Sequence, residues 1–322
     1  MFELKRAWNW REKRGLFEKT EAIRVFHGPG EALHALHKVA IDRFGDHYWV
    51  TQWESSTQYE NFQETLEKII EFYKEKKAAS LVILRRPEKG ALPTEPEVLY
   101  GEPPLERWVV KENGSQFWIE FLKGRHPGLF LDHQPLRDWL ERSCDGLRVF
   151  NTFAYTGSLS VAARRGGAEH VTTLDLSKAS IQWAKENMAL NGFEGESNRW
   201  IAGDVFDWLP RLKREGAKFD CVILDPPSFS HGKKSNFSTQ KDLVRLHGLA
   251  MDLLSDHGIL ITSINSANVS REKFQADVLA AAHSKKMTFT VEVQIDLPET
   301  FPTFLEDSSA RYLKGWILRR MA

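Results

Sequence analysis

The sequence predicts an α/β protein with a mostly parallel sheet whose last strand is antiparallel, preceded by a smaller α+β domain. From Leu147 onward, short apolar runs alternate with helical patterns, as they do when crossover helices join parallel strands. The apolar run 219–224 leads directly into Asp225-Pro226-Pro227, which places a carboxylate at the end of a buried strand. Two late runs, 288–294 and 311–318, are predicted as strands without a helix between them, which is typical of an antiparallel pair.

The N-terminal third predicts a basic helix followed by a small α/β module. Residues 4–20 form a charged helical pattern with six cations and two acids. A hairpin is predicted from 39–43 through Phe44-Gly45-Asp46 into 48–53. Apolar residues at helical spacing predict a helix over 59–77.

A strand over 80–84 and a hairpin complete this part of the chain. The hairpin joins 106–110 to 117–121 through Asn113-Gly114, a dipeptide that favours a two-residue turn. Three prolines and a glycine in 87–96 predict a loop or linker between the strand and the hairpin. The expected domains are therefore 1–30 (basic helix and first strand), 31–104 (an RNA-binding type of α/β domain) and 105–322 (a catalytic domain with a leading hairpin).

The first strand of the predicted parallel sheet, 147–152, passes through a turn at 153–157 into a helix of small residues. A strand, a glycine turn and a helix form the first unit of nucleotide-binding α/β sheets. The turn contains only Gly157, whereas a pyrophosphate site needs several glycines, so a dinucleotide is disfavoured. The next strand ends in Asp175, about 20 residues after the turn, a position suited to accept hydrogen bonds from ribose hydroxyls.

Three successive strands of this sheet are followed by acids, namely Asp175, Asp204 and Asp225. The carboxyl ends of parallel strands share one edge of the sheet, which is where open α/β sheets bind ligands. The alternative interpretation is that the three acids are ordinary helix N-caps. Asp-Pro-Pro alone is also compatible with a simple turn, although its prolines would hold a ligand-clamping loop stiff.

Several short motifs together resemble class I S-adenosylmethionine-dependent methyltransferases, and more narrowly the 23S ribosomal RNA methyltransferases of the RlmI and RlmK type. The resemblance covers about residues 20 to 322 and leans toward RlmK through the segment 39–46. The motifs that carry it are Val98-Leu99-Tyr100-Gly101-Glu102, Glu112-Asn113-Gly114, Gly128-Leu129-Phe130-Leu131-Asp132-His133, Phe153-Ala154-Tyr155-Thr156-Gly157-Ser158, Asp175-Leu176-Ser177, Asn187 through Asn191-Gly192, Gly203-Asp204 and Asp225-Pro226-Pro227-Ser228-Phe229.

The resemblance implies a Rossmann-like sheet, the cofactor S-adenosyl-L-methionine and a set of residues that hold it. The turn 153–157 is expected to take the methionine end, Asp175 the ribose, and Asp204 with Val205 the adenine. Phe130 and Asp132 are expected to close over the cofactor. Gln134 stands where relatives carry arginine. The expected cofactor residues are Phe130, Asp132, Asn151, Phe153, Ala154, Tyr155, Thr156, Gly157, Asp175, Leu176, Ser177, Asp204, Val205 and Asp225.

The two cysteines bear on which atom receives the methyl group. Methylation at carbon 5 of a pyrimidine needs covalent activation by a thiolate, and the relatives that do it carry cysteine after the fifth strand. Here that segment is 261–266 and contains no cysteine, while Cys221 lies within a strand. Direct transfer to a guanine nitrogen is therefore favoured over a cytosine methyltransferase. The expected catalytic residues are Asp225, Pro226, Pro227, Ser228 and Phe229, with Asn265 as a second polar contact.

Ribosomal RNA, naked or in an assembly intermediate, is the expected partner. Lys233 and Lys234 follow the Asp-Pro-Pro loop, and Arg11 and Arg14 lie on the basic helix, where they could meet phosphates. A solvated charged face is the alternative for that helix. A net charge of zero argues against wholesale coating of nucleic acid.

Composition narrows the class of protein further. There is no apolar run of 18 residues, and the two cysteines form neither a disulfide framework nor a zinc pattern. We therefore expect a cytoplasmic enzyme without a metal or a membrane span; its oligomeric state is left open. Two other classes remain: a small-molecule or protein methyltransferase, and a non-catalytic RNA-binding protein with a vestigial cofactor fold.

Overall fold

The computed structural model describes residues 1–53, 62–86, 94–124, 126–227, 229–231, 236–238, 242–266, 269–307 and 310–321. The chain divides into two compact units. The first comprises Met1–Gln134 with Leu297–Ala310, and the second comprises Pro135–Asp296 with Arg311–Ala322. The boundaries that the sequence predicted at residues 30 and 104 stay predictions.

The first unit is built on a five-stranded sheet within the described residues, in the order β1-β2-β3-β4-β5. All neighbouring strands are antiparallel except β3 and β4. Its elements are α1 (Phe2–Glu12), α2 (Leu16–Lys19), β1 (Ala22–His27), α3 (Gly28–Glu31), β2 (Val39–Phe44), β3 (His47–Trp53), α4 (Phe62–Glu75), β4 (Ser80–Arg86), β5 (Glu97–Gly101), β6 (Trp108–Glu112) and β7 (Ser115–Ile119).

Both predicted hairpins of this unit are confirmed. β2 pairs antiparallel with β3, and β6 with β7. In the second hairpin Asn113 and Gly114 have φ angles of 49° and 86°, the left-handed pair that a two-residue turn requires. The single helix predicted over 4–20 is wrong, because Gly15 adopts φ 61° and separates α1 from the short α2. α1 contacts β1, and β1 pairs with β2 in the main sheet.

The second unit contains a seven-stranded sheet in its described residues, in the order β10-β9-β8-β11-β14-β16-β15. Neighbouring strands are parallel as far as β14, whereas β16 is antiparallel to both β14 and β15. The elements are α5 (Gln134–Ser143), β8 (Arg148–Thr152), α6 (Ser158–Arg165), β9 (His170–Asp175), α7 (Lys178–Leu190), β10 (Asn198–Ala202), α8 (Val205–Arg214), β11 (Phe219–Leu224), β12 (Phe229–His231), β13 (Asn236–Ser238), α9 (Leu243–Met251), β14 (Leu254–Asn265), α10 (Arg271–Ser284), β15 (Phe289–Ile295) and β16 (Leu313–Arg320).

This arrangement confirms the predicted fold class. The chain builds β8, β9 and β10 outward in one direction and then returns to the other side of β8 with β11. A crevice for a ligand forms where the strand order reverses, at the carboxyl ends of the strands. The register brings Thr152, Leu174 and Leu224 to one level, since Thr152 is the partner of both other residues. Asp175 and Asp225, each one residue further on, therefore lie at the same edge.

Each face of this sheet is covered by helices, as expected for parallel strands buried on both sides. The largest apolar cluster joins α8, α9 and α10 to β11 and β14 and contains Leu209, Leu246, Leu260 and Phe274. No helix in the described parts of the chain is both long and apolar enough to cross a membrane.

Candidate functional site

The turn after β8 has a constrained backbone. Phe153, Tyr155 and Gly157 all lie in the left-handed region, with φ angles of 54°, 49° and 75°. Such conformations are costly for residues other than glycine, and they persist where the surroundings enforce them, often at ligand sites. The Ala154 N–H donates to the Leu174 carbonyl at 3.0 Å, and this bond ties the turn to β9.

Side chains of the neighbouring helix complete the support of this turn. Asn187 is fully buried, and its Nδ2 donates to the Thr156 carbonyl at 2.9 Å. A Cβ atom on Gly157 would lie 2.7 Å from the Cβ of Ala184, so the packing of α6 against α7 requires glycine here. Gly157 lies in the turn that was expected to take the methionine end of the cofactor, and its packing against α7 is a reason for glycine that is independent of any ligand.

Asp175 links the turn after β8 to the turn after β9. Its Oδ2 accepts the Tyr155 N–H at 2.9 Å and its Oδ1 accepts the Ser177 N–H at 2.8 Å. Burial raises the pKa of this carboxyl above its ordinary value, and the two backbone hydrogen bonds partly offset that effect. A carboxylate oxygen can accept more than one hydrogen bond, so both oxygens retain capacity for further donors such as sugar hydroxyls.

The two residues after Asp175 have different positions. Ser177 caps α7, because its side chain accepts the Ser180 N–H at 3.1 Å. Leu176 is 45% exposed, which leaves its side chain accessible at the site edge. The roles of Leu176 and Ser177 toward the cofactor stay predictions.

Asp204 acts as the N-cap of α8. Its Oδ1 accepts the Phe206 N–H at 2.8 Å, which is the interpretation that the sequence analysis held as an alternative. This cap uses one carboxylate oxygen. Val205 is buried in the main apolar cluster. Gly203 makes room for an indole, since a Cβ there would lie 2.2 Å from Nε1 of Trp208. The adenine contact of Asp204 and Val205 stays a prediction.

Asp225 is half-buried at the end of β11 and is joined to β14. The Ser263 hydroxyl donates to Asp225 Oδ1 at 2.6 Å, and Ser263 is fully buried. Opposite Ser263 in β16 stands Gly315, where an added Cβ would lie 3.1 Å from the Ser263 Cβ. Pro226 is buried and Pro227 exposed. Asp225 and Asp175 therefore lie at the predicted edge, and a buried hydroxyl orients the first of them.

Several predicted residues lie outside the described part of the chain. Ser228, Lys233 and Lys234 are among them, so their catalytic and RNA-binding roles stay predictions. The backbone at Phe229 begins β12, which pairs antiparallel with β13.

Asn151 lies inside the sheet. It is 1% exposed, and its Nδ2 donates to the Ser160 hydroxyl at 2.9 Å, which in turn lies 2.8 Å from the Thr173 hydroxyl. This chain of polar groups joins β8, α6 and β9. The Asn151 Oδ1 is buried and accepts no hydrogen bond within the described residues. A polar atom left unsatisfied at the end of β8 is compatible with the predicted ligand contact, which stays a prediction.

Phe130 and Asp132 belong to the first unit. Phe130 is 40% exposed and stacks on His126 with ring centroids 3.8 Å apart. Asp132 is 5% exposed, and its Oδ1 lies 3.2 Å from Nδ1 of His133. Their predicted contact with the cofactor stays a prediction.

The two arginines predicted to bind RNA have different environments. Arg11 is fully buried, where it pairs with Glu31 at 2.8 Å and donates to the carbonyls of Arg24 and Thr300. This position argues against a phosphate contact, because the Arg11 guanidinium is buried and its hydrogen bonds go to groups inside the first unit. Arg14 is exposed, stacks on Trp10 at 4.1 Å and lies 4.0 Å from a Glu299 oxygen.

Sequence reasoning missed the polar residues that support the acids. Ser263, Ser160 and Thr173 all lie within apolar strands or helices, and hydroxyls in such runs are the one signal that could have indicated them.

Neither cysteine can supply a thiolate at this edge. Burial raises the pKa of Cys144 to about 12 and that of Cys221 well above its ordinary value. Both side chains are fully buried. The site thus combines carboxylates, backbone amides and hydroxyls, a donor and acceptor set that fits a polar cofactor.

Comparison with known proteins agrees with this geometry. Residues 23–316 match the model of the S-adenosylmethionine-dependent methyltransferase family. The chain is 30% identical to YwbD of Bacillus subtilis over 319 residues, which cover 99% of this chain and 79% of YwbD. The crystal structure of SMU.776 complexed with S-adenosylhomocysteine superposes with a TM-score of 0.87 at 28% identity, covering 99% of this chain and 81% of that one.

Relatives with more specific names match shorter parts. The ribosomal RNA large subunit methyltransferase K of Neisseria meningitidis is 41% identical over 160 residues, which cover 49% of this chain and 45% of that protein. Ribosomal RNA large subunit methyltransferases I of Aeromonas and Aliivibrio species are also among the relatives. The chain thus covers less than half of the length of the K-type relative.

Proposed function

The chain belongs to the S-adenosylmethionine-dependent methyltransferases of the type that includes the large-subunit enzymes I and K, and we propose that it methylates a base of large-subunit (23S) ribosomal RNA. The observation that carries the proposal is the carboxyl edge of the seven-stranded sheet, where Asp175 and Asp225 flank the reversal of strand order. The names of the K-type and I-type relatives support the choice of ribosomal RNA.

The residues of the edge fit the parts of S-adenosylmethionine, which supplies an electrophilic methyl group when bound. In this proposal Asp175 accepts hydrogen bonds from the ribose hydroxyls, as its two oxygens already accept from backbone amides. The constrained turn 153–157 holds the methionine end, and the free capacity of the Asp204 carboxylate serves the adenine amine. Ionised Asp175 is the binding form, because only the carboxylate accepts from both hydroxyls.

We further propose that the acceptor is a guanine nitrogen. The buried, protonated state of Cys144 and Cys221 disfavours the covalent activation that carbon 5 of a pyrimidine needs. A nitrogen needs only orientation and a hydrogen-bond acceptor, which Asp225 provides at an orientation fixed by Ser263. The target base must leave its stack to reach a pocket of this kind, which favours an opened or unstructured RNA segment. Cytosine is the alternative base.

Methyl transfer by the purified protein tests the proposal. Large-subunit RNA isolated from cells lacking the gene is incubated with methyl-labelled S-adenosylmethionine, followed by digestion to nucleosides. We expect label in a methylated guanosine and none with RNA from cells that carry the gene. Label in a methylated cytidine would show that the target base is cytosine and not guanine. Label only in protein or small molecules, or in no acceptor despite cofactor binding, would contradict the RNA assignment.

A further inference from the structure

A row of cross-strand neighbours runs over the five-stranded sheet of the first unit. Its members are Ile23, Arg43, Tyr48, Leu81 and Tyr100, each paired with the next. Directly opposed residues of neighbouring strands point to the same face. Ile23, Tyr48 and Leu81 are buried in the apolar cluster with α1 and α4, so Arg43 and Tyr100 lie on that same face.

The last turn of α4 lies at this end of the sheet. The helix leads within five residues into Ser80, the first residue of β4, one position before Leu81 in the row. Lys74 and Lys76 extend from this end of the helix. The Lys74 Nζ lies 4.5 Å from the ring centroid of Tyr100, and the Lys76 Nζ lies 4.7 Å from that of Trp8.

A third cation completes the group. The Arg43 guanidinium lies 5.4 Å from the ring centroid of Phe17, and that ring in turn lies 4.4 Å from the ring of Trp8. Phe17 and Tyr100 are half-buried, whereas Trp8 is 8% exposed. The basic–aromatic surface is defined here as Phe17, Arg43, Lys74, Lys76 and Tyr100.

The cations of this surface differ from two others in the same sheet and helix. Lys68, earlier on α4, pairs with Glu64, and Arg85, at the far end of β4, pairs with Glu97. No carboxylate of the described residues lies within ion-pair distance of Arg43, Lys74 or Lys76, which are positioned over rings instead. No described carboxylate therefore forms an ion pair with them, and their charge is available to an anion.

We infer that the basic–aromatic surface binds single-stranded RNA, an assignment that rests on the proposed function for the kind of nucleic acid. Cations interleaved with half-buried rings suit a chain of phosphates that carries stackable bases. From β2 to β5 the surface crosses three strand spacings, about 14 Å at roughly 4.8 Å each. It therefore offers contacts to several successive phosphates. We propose it as the RNA contact of this unit in place of Arg11, which is buried.

The test compares two sets of substitutions in the full chain. The probe is a fluorescein-labelled single-stranded RNA of mixed sequence, with anisotropy measured over a series of salt concentrations. The triple variant Arg43→Gln, Lys74→Gln, Lys76→Gln should bind at least about tenfold more weakly at low salt, and its salt slope should fall by about 2, at roughly 0.7 per lost phosphate contact. Lys68→Gln, on the same helix but already ion-paired, should change affinity by less than about twofold.

Phe17→Leu tests the stacking part of the inference. It keeps an apolar side chain against Trp8 and should weaken RNA binding by about fivefold or more while leaving the salt slope unchanged. A poly-aspartate peptide should compete poorly with RNA. An unchanged affinity and slope in the triple variant would overturn the inference, and so would equal binding of poly-aspartate that is insensitive to Phe17→Leu.

The two proposals can fail separately. S-adenosylmethionine affinity, measured by calorimetry, should be the same in all variants, and thermal unfolding should show that the first unit is folded in each of them. If the wild-type chain methylates ribosomal RNA and the triple variant binds and methylates it equally well, the proposed RNA contact at the basic–aromatic surface is wrong, and the proposed function is retained. If RNA binding by the wild-type chain depends on the surface as expected but no methyl group is transferred to the RNA, the proposed function is wrong, and the proposed RNA contact is retained.

Discussion

The carboxyl edge of the seven-stranded sheet and the basic–aromatic surface of the five-stranded sheet carry opposite charges but share one property. At the first, Asp175, Asp204 and Asp225 accept hydrogen bonds from neutral donors, namely backbone amides and a serine hydroxyl. At the second, Arg43 and Lys76 lie over aromatic rings. In both regions neutral groups of the local structure orient a charged side chain.

The difference in sign assigns different tasks to the two regions. Oriented carboxylates suit hydroxyls, amines and the N–H groups of a base, whereas oriented cations suit phosphates. Substitutions at the edge should therefore change cofactor binding and the chemical step, and substitutions at the surface should change RNA affinity and its salt dependence.

The largest effect is expected from Asp225→Ala. The carboxylate orients the target nitrogen in our proposal, and loss of a positioned acid–base group lowers rates by about 10²–10⁴-fold. RNA affinity should remain within about twofold of wild type, because one carboxylate makes few phosphate contacts. Single-turnover methyl transfer and anisotropy measure the two quantities. Full activity in this variant would show that the Asp-Pro-Pro loop has no catalytic role and is only a turn.

Asp175→Ala should act on the cofactor. Lost hydrogen bonds to a charged group cost about 1.5–3 kcal/mol, which corresponds to at least about tenfold in S-adenosylmethionine affinity. Burial raises the Asp175 pKa, so in the wild-type chain affinity should fall with decreasing pH and begin to fall above 3.8, the ordinary value of this group. Calorimetry over a pH series measures both effects. Unchanged affinity in a folded variant would contradict the ribose assignment.

Ser263→Ala should have a smaller effect than either aspartate. The hydroxyl donates to Asp225, so kcat should fall by about tenfold, equivalent to one hydrogen bond to a charged group, while KM changes little. A change confined to thermal stability, with kcat unaltered, would make the hydrogen bond purely structural.

The smallest effects are expected at the cysteines. Cys221→Ala and Cys144→Ser should keep methyl transfer within a few-fold of wild type, because both thiols are buried and protonated. Removing the Cys221 sulfur from the core costs some stability, which thermal unfolding measures. Trapping of a covalent adduct with a 5-fluoropyrimidine RNA would show instead that a thiol attacks the base.

Features set by neighbouring residues were predictable from the sequence. The turn at Asn113-Gly114 follows from the φ angles that those residues tolerate, and Asp175 and Asp225 follow from apolar runs that end in an acid. The strand alternation also predicted the parallel sheet and its antiparallel end correctly.

Features set by distant contacts were not predictable. Arg11 looks like its exposed neighbours in sequence, but it donates to Thr300, 289 residues away, and so lies in the interior. Ser263 meets Asp225 only because β11 and β14 are adjacent strands. The pairing of Arg43 with Phe17 likewise depends on how α2 packs near the end of β2.

Mass-spectrometric mapping of large-subunit ribosomal RNA from cells with and without the gene tests the central claim most directly. We expect one methylated guanine that disappears in the deletion strain, returns with the wild-type gene and fails to return with Asp225→Ala. An identical modification pattern in both strains would contradict the claim that this chain methylates ribosomal RNA.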